Sequence, residues 1–228
     1  MKLNVIQEEL DTHFDVKVKV DSKKWFYTNI VKDHFFNPRN LLKEDNEAKK
    51  YEKTCDGVGQ VGSASCGDSM KFWLMINKEE DKILEAKWQT FGCASAIAST
   101  SMLSVMLTEN AGMKIEVALK LRPQDIVARL LDLPERKFHC SVLGDKALRE
   151  ALNDYFRKSG QYDRVKVEGA KVIDMILKIT DKDIEEAVLE GAHTFEAVQK
   201  KTKVGVHDKS CIPEVEQLIR FYKEKYFG

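Results

Sequence analysis

The stretch MKFWLMINKEEDKILEAKWQTFGC, residues 70–93, decides the fold. Met70, Phe72, Leu74 and Ile76 alternate with Trp73 and Met75, and Leu84, Ala86 and Trp88 alternate with Glu85, Lys87 and Gln89. Period-two alternation marks strands, and the polar turn 77–81 between the two runs predicts an antiparallel hairpin. The first run is apolar on both faces, so a central, covered strand is expected. Phe91-Gly92-Cys93 then leads into residues 94–109, apolar on most sides and read as a buried helix.

Working outward, glycines 57, 59, 62 and 67 punctuate a segment containing Cys66, which is read as lying in a Gly-rich loop, residues 62–68, between strands. Residues 43–54 are polar and read as a solvated loop or a frayed helix, while residues 25–36 form a short helix ended by Asn37-Pro38. Residues 14–20 alternate as a half-buried strand. Downstream, Pro123 opens a helix that Pro134 stops, and a helix over 145–158 ends near Gly160. Past a polar stretch the pattern is wholly helical: Thr180 caps a helix that ends at Gly191, and 194–201 and 213–226 supply two more. The expected fold class is α+β, a small antiparallel sheet covered by helices over residues 25–158, followed by a small all-helical domain over 171–228. Residues 1–24 are an extension and 159–170 a linker.

The chain has 228 residues, with 43% hydrophobic and 32% charged, enough to bury a core and solvate a surface. Thirty-seven basic residues balance thirty-seven acidic ones. That balance gives no general attraction for nucleic acid or an anionic membrane, and no apolar run is long enough to span a bilayer. The first 24 residues carry Glu8, Glu9, Asp11, Asp15 and Asp21, unlike a transit peptide, and no positively charged start leads into an apolar core. A reducing cytoplasm is the expected compartment. The five cysteines, Cys55, Cys66, Cys93, Cys140 and Cys211, are therefore read as thiols rather than a disulfide framework.

Cys93 stands where a strand gives way to a helix, a position that stabilises thiolate through unpaired backbone N–H groups and the macrodipole. His139 and Cys140 precede another expected helix. Three thiolates and an imidazole suit zinc or iron–sulfur chemistry. No close Cys-x-x-Cys pair is present, however, and spacing alone favours a reading as small core residues.

Four motifs carry more. HFFNPRN (34–40), VGSASCGDSMK (61–71), TFGCASAIAS (90–99) and KFHCSVLG (137–144) closely resemble, in family order, the IscU/NifU-type iron–sulfur cluster assembly scaffolds. The resemblance covers about residues 25–158. It implies antiparallel sheet plus helices, and a transient [2Fe-2S] or [4Fe-4S] cluster built from ferrous iron and sulfur delivered by a cysteine desulfurase, then passed to recipient apoproteins. It places Cys66, Cys93 and Cys140 as ligands, Asp68 or His139 as the fourth, and Cys140 as the persulfide acceptor. Asp68 would keep the cluster labile, and Lys137 would favour thiolate at Cys140 or be an ordinary surface lysine. Zinc accepts the same donors and can occupy the site in purified material. Whether the chain forms a homodimer is left open, and Cys55 has no counterpart in the family.

Residues 173–219 resemble, more weakly, the helical [2Fe-2S]-binding domain of bacterioferritin-associated ferredoxins and the middle of NifU proteins, through ITDKDI (179–184), EAVLEG (186–191) and Cys211-Ile-Pro213. That resemblance puts Asp174, Ile176, Asp208 and Cys211 where four cysteines are usual, so a degenerate module retained for packing or partner binding is expected. His193 and His207 are the substitute ligands to consider. The leading expectation is a scaffold rather than an enzyme. The alternatives are a zinc-bound persulfide acceptor, which the short Cys93–His139 interval disfavours, and a regulatory interaction protein with a structural metal.

Overall fold

The computed structural model describes residues 27–62, 67–134, 137–166 and 170–228. The strand expected over 14–20 and the cysteine at position 66 lie outside the described residues. The hairpin is present: β2 (Ser69–Asn77) pairs antiparallel with β3 (Lys82–Phe91), with Phe72 opposite Trp88 and Leu74 opposite Ala86. Both faces of β2 are covered. Phe72 and Leu74 enter the main core with Trp88, while Trp73 packs against Leu42 and Ala48 on the other side and donates its indole N–H to Glu52 at 3.1 Å. Ala48 is brought there by the polar run, which is an ordered helix over Asp45–Glu52 (α2), and Leu42 is held by its N–H bond to the Trp88 carbonyl at 3.0 Å.

The glycines ahead of the Cys66 loop lie in a strand. Gly57–Gly62 is a strand, β1, paired with β2 so that Gly57 faces Leu74 and Gly62 faces Ser69. A Cβ at Gly59 would lie 2.2 Å from the Ala147 carbonyl oxygen and 2.4 Å from the Ala151 nitrogen, and one at Gly57 would lie 2.3 Å from the Ala151 oxygen. The long helix His139–Lys158 thus rests on bare β1 backbone, a close approach open only to glycine. A two-residue strand, β4 (Met113–Lys114), completes the order β1-β2-β3-β4.

That long helix corrects an expectation, because it begins at His139 and not at Asp145. His139 and Cys140 therefore stand in its first turn, and Gly144 lies inside the helix. The remaining helices of this part are α1 (Asn29–Phe36), α3 (Ala94–Thr108), the short α4 (Ile115–Ala118) and α5 (Pro123–Arg129), so the long helix is α6. Helix α3 is buried on nearly every side, with Ser95, Ser99, Ser101 and Ser104 among its buried residues. Ser101 is the anchor for the HFFNPRN motif, being 2.8 Å from both the buried His34 ring and the Arg39 N–H. That motif is a structural latch between α1, α3 and β3, for Arg39 also accepts the Trp88 indole N–H through its carbonyl at 2.9 Å.

The polar stretch after α6 is pinned rather than loose. Arg164 pairs with Asp81 through two bonds of 2.9 and 3.0 Å and lies over the Phe156 ring, and Asn153 exchanges two hydrogen bonds with the Lys166 backbone. The C-terminal part is not all-helical. A two-stranded sheet, β5 (Val172–Asp174) with β6 (Ile179–Thr180), precedes α7 (Asp181–Leu189), α8 (Phe195–Thr202) and α9 (Ile212–Phe227). Thr180 and Asp183 form a reciprocal capping box at the start of α7. No helix among the described residues is long and apolar enough to cross a membrane.

Candidate metal centre

Three elements meet at one point. Asp68 stands just before β2, Cys93 is the N-cap residue of α3, and Cys140 lies in the first turn of α6. Their ligand atoms all fall within 4.8 Å of one another. The two sulfurs are 3.2 Å apart, and the Cys93 N–H points at the Asp68 carboxylate at 3.4 Å. Two thiolates on one tetrahedral ion at about 2.3 Å stand roughly 3.8 Å apart, so a small opening of the sulfur pair admits a metal. Cys93 and Asp68 are half-buried, whereas Cys140 is only 1% exposed.

The first proton leaves Cys93. The adjacent Cys140 thiol lowers its pKa most; burial opposes this, and the Ala96 N–H, the Lys137 charge and the Ser95 N–H lower it further, to about 5. Cys140 moves the other way, raised by the same sulfur contact, by burial and by the Cys93 charge, with Lys137 partly relieving it. The two thiols share one proton, which rests on Cys140 while Cys93 is a thiolate at neutral pH.

Of the expected site residues, Asp68, Cys93 and Cys140 converge, and Lys137 acts on both sulfurs through its charge. His139 is the first residue of α6. Cys66 stands two residues before Asp68 in sequence and lies outside the described residues. Cys55 is remote from this group; its thiol lies 3.4 Å from the Glu52 carbonyl oxygen.

Residues 26–162 match the NifU-like N terminal domain family, and residues 177–220 match a BFD-like [2Fe-2S] binding domain. The chain belongs to the NifU-like N-terminal domain family. It is 34% identical over 203 residues to the nitrogen fixation protein NifU of a Nostoc species, a match covering 88% of this chain and 65% of that one. It is also 43% identical over 143 residues to the iron–sulfur cluster assembly scaffold protein IscU 1 of Archaeoglobus fulgidus, covering 63% and 85%. IscU of Aquifex aeolicus is 41% identical over 149 residues, covering 65% and 85%. The chain therefore spans 65% of the length of its Nostoc NifU relative and most of the length of its IscU relatives.

Within this NifU-like domain several supporting groups escape sequence reasoning. The Ser99 hydroxyl donates to the Ser95 carbonyl at 2.7 Å and reaches the Cys140 carbonyl at 3.3 Å, fixing the α6 turn against α3. Phe91, 84% exposed, stands beside Gly92-Cys93. Phe138 and Val142, on either side of Cys140, are buried in the C-terminal core. Ser99, Phe91, Phe138 and Val142 all lie inside the quoted motifs, but nothing in a local pattern says which distant surface each one meets.

Proposed function

We propose that the chain is a scaffold on which a transient iron–sulfur cluster is assembled from ferrous iron and desulfurase-derived sulfur, then passed to recipient apoproteins. The cluster is cargo, and the chain is a carrier rather than an enzyme. The observation that carries this reading is the convergence of Asp68, Cys93 and Cys140 from three separate elements to within 4.8 Å. Cys66 and His139 complete the donor set in the proposal, by their places beside Asp68 and Cys140 in the sequence.

The chemistry follows from the thiol pair. Cys93, already a thiolate, is the entry point for ferrous iron, since thiolate is the metal ligand. Sulfur delivery is an exchange in which an acceptor thiolate attacks the outer sulfur of a desulfurase persulfide, forming a new S–S bond and releasing the desulfurase cysteine as thiolate. For Cys140 to be that acceptor its proton must cross 3.2 Å to Cys93, and its 1% exposed sulfur must be uncovered. Reducing the delivered sulfur to sulfide takes two electrons from an external thiol or ferredoxin-type reductant. Asp68 supplies an oxygen ligand, which exchanges faster on iron than thiolate does, and this suits a cluster meant to leave.

The test is transfer. A chain loaded anaerobically and mixed with an apo-ferredoxin should lose its visible charge-transfer absorption as the ferredoxin gains its own spectrum. Cluster that stays with the chain through prolonged incubation would contradict the carrier role.

A further inference from the structure

Because residues 177–220 match a [2Fe-2S] binding family, the C-terminal module is where a resident cluster would be sought. Its donors do not fit one. Protein-held [2Fe-2S] centres take four thiolates, or two thiolates with two imidazoles. Residues 170–228 contain a single cysteine, Cys211, and two histidines, His193 and His207. Cys211 is buried, its thiol donates to the Asp208 carbonyl at 3.0 Å, and burial pushes its pKa up. The His193 ring packs on Phe227. Among the described residues the Asp68, Cys93 and Cys140 group is the one with metal-holding geometry, and it lies outside this module.

Carboxylates join the loops instead. Asp174 is fully buried; its Oδ1 accepts the N–H groups of Ile176 at 2.9 Å and Leu177 at 2.8 Å, and its Oδ2 accepts that of Gly205 at 3.1 Å. These bonds, with burial working against them, hold its carboxyl below the usual range. Asp208 adds a second tie, accepting the Met175 N–H at 3.3 Å and the Ser210 N–H at 3.1 Å. The β5–β6 turn and the loop before α9 are thereby clamped together by groups that need no metal.

The module's core reaches into the cargo site's own helix. Phe138 and Val142, two residues before and two after Cys140, belong to the cluster of buried side chains formed by Ile184, Val188, Val215 and Ile219. The Phe138 ring lies 5.1 Å from that of Phe227 and 6.4 Å from that of Tyr226. Gln124 of α5 donates to the last carbonyls of α9, Lys225 at 2.8 Å and Tyr226 at 3.0 Å. Glu185 of α7, fully buried, takes the Tyr226 hydroxyl at 2.6 Å and the Lys146 ammonium of α6 at 2.9 Å.

We propose that residues 170–228 form a cluster-free module whose work is mechanical: it braces the turn of α6 that carries His139 and Cys140. The bracing half rests on Cys140 belonging to the cargo site; the cluster-free half does not. Iron then sits at one place on the chain, and loosening the brace uncovers Cys140 for sulfur transfer.

Both halves are tested on the full chain. After anaerobic loading with ferrous iron and sulfide, Cys211→Ser should keep the iron content and the dithionite-reduced paramagnetic spectrum of the parent; a second [2Fe-2S] signal that this change abolishes would overturn the cluster-free half. For the brace, the metal-free reduced chain is alkylated with iodoacetamide and each cysteine is read by mass spectrometry, which requires no cluster to form. Phe227→Ala should raise the Cys140 rate several-fold and leave the Cys55 rate unchanged, with amide exchange quickened over 140–144 and not over 150–156. An unchanged Cys140 rate would overturn the brace. If Phe227→Ala does not fold, Phe227→Leu should give the same change in smaller measure, and no change there would overturn it equally.

Discussion

The sulfurs of Cys93 and Cys140 lie 3.2 Å apart although 47 residues separate them in the chain. That contact makes the two thiols one titrating unit and sets which of them is anionic. Cys93 stands two residues past β3 and caps α3, where N–H groups and a nearby lysine favour negative charge. Cys140 is buried in the first turn of α6 against α3 and keeps the proton.

The asymmetry predicts an acid-shifted reactive thiol. In the metal-free chain, alkylation of Cys93 should rise with a midpoint near pH 5, because thiolate forms above the pKa. Cys140→Ala removes the largest cause of the lowering, so the midpoint should move upward. A Cys93 profile at the ordinary thiol pKa in the parent chain would remove the shared proton from the account.

Asp68→Ala should lengthen the life of the loaded cluster and slow its transfer to an apo-ferredoxin, since a labile oxygen ligand is lost while the thiolates stay. The half-time of transfer, followed by circular dichroism, measures this. An unchanged half-time would take Asp68 out of the release step.

Glu185 couples docking of the module to pH. Burial pushes its carboxyl up, but Lys146, the Tyr226 hydroxyl and Lys182 outweigh burial and hold it at about 2. Its pKa is depressed in the folded chain, so its contribution is complete above the ordinary value near 4.5 and is lost as pH falls toward 2. At neutral pH that contribution is roughly 3 kcal/mol. Glu185→Gln should lower the stability of the C-terminal module at pH 7 and flatten its decline in acid, read by urea unfolding with amide exchange over 181–189. An equally steep acid decline in the variant would assign the effect to another carboxylate.

Gly59→Ala places a methyl group 2.2 Å from the Ala147 carbonyl oxygen. Backbone must then move, and a loss of about 3 kcal/mol is expected in chemical unfolding. Gly62→Ala, whose nearest neighbour is at 3.7 Å, should lose far less. Equal losses would argue against the close seat of α6 on β1.

The hairpin was legible to within a residue at each end because its two runs alternate, but the register shift at Met75/Ile76, which goes with a buried Ile83 and an exposed Leu84, could not be read from them. Strand β1 was hidden by the glycines that let α6 settle on it, for glycine is poor in strands on its own account. The start of α6 was hidden by Gly144, which reads as a boundary locally, whereas contacts of Phe138 with Tyr226 and Phe227, nearly ninety residues on, hold the true first turn. The β5–β6 pair spans too few residues to show a period. At the centre, Asp68, Cys93 and Cys140 could be read from their motifs, but the 3.2 Å contact could not, because it depends on how α3 and α6 pack.

The most direct test of the whole account is the iron and acid-labile sulfide bound per chain after anaerobic incubation with a cysteine desulfurase, cysteine and ferrous iron. The account predicts iron and sulfide in near-equal amounts, both lost in Cys93→Ala and in Cys140→Ala. Zinc or iron bound without labile sulfide, with persulfide resting on a cysteine, would contradict it and make the chain a sulfur carrier instead.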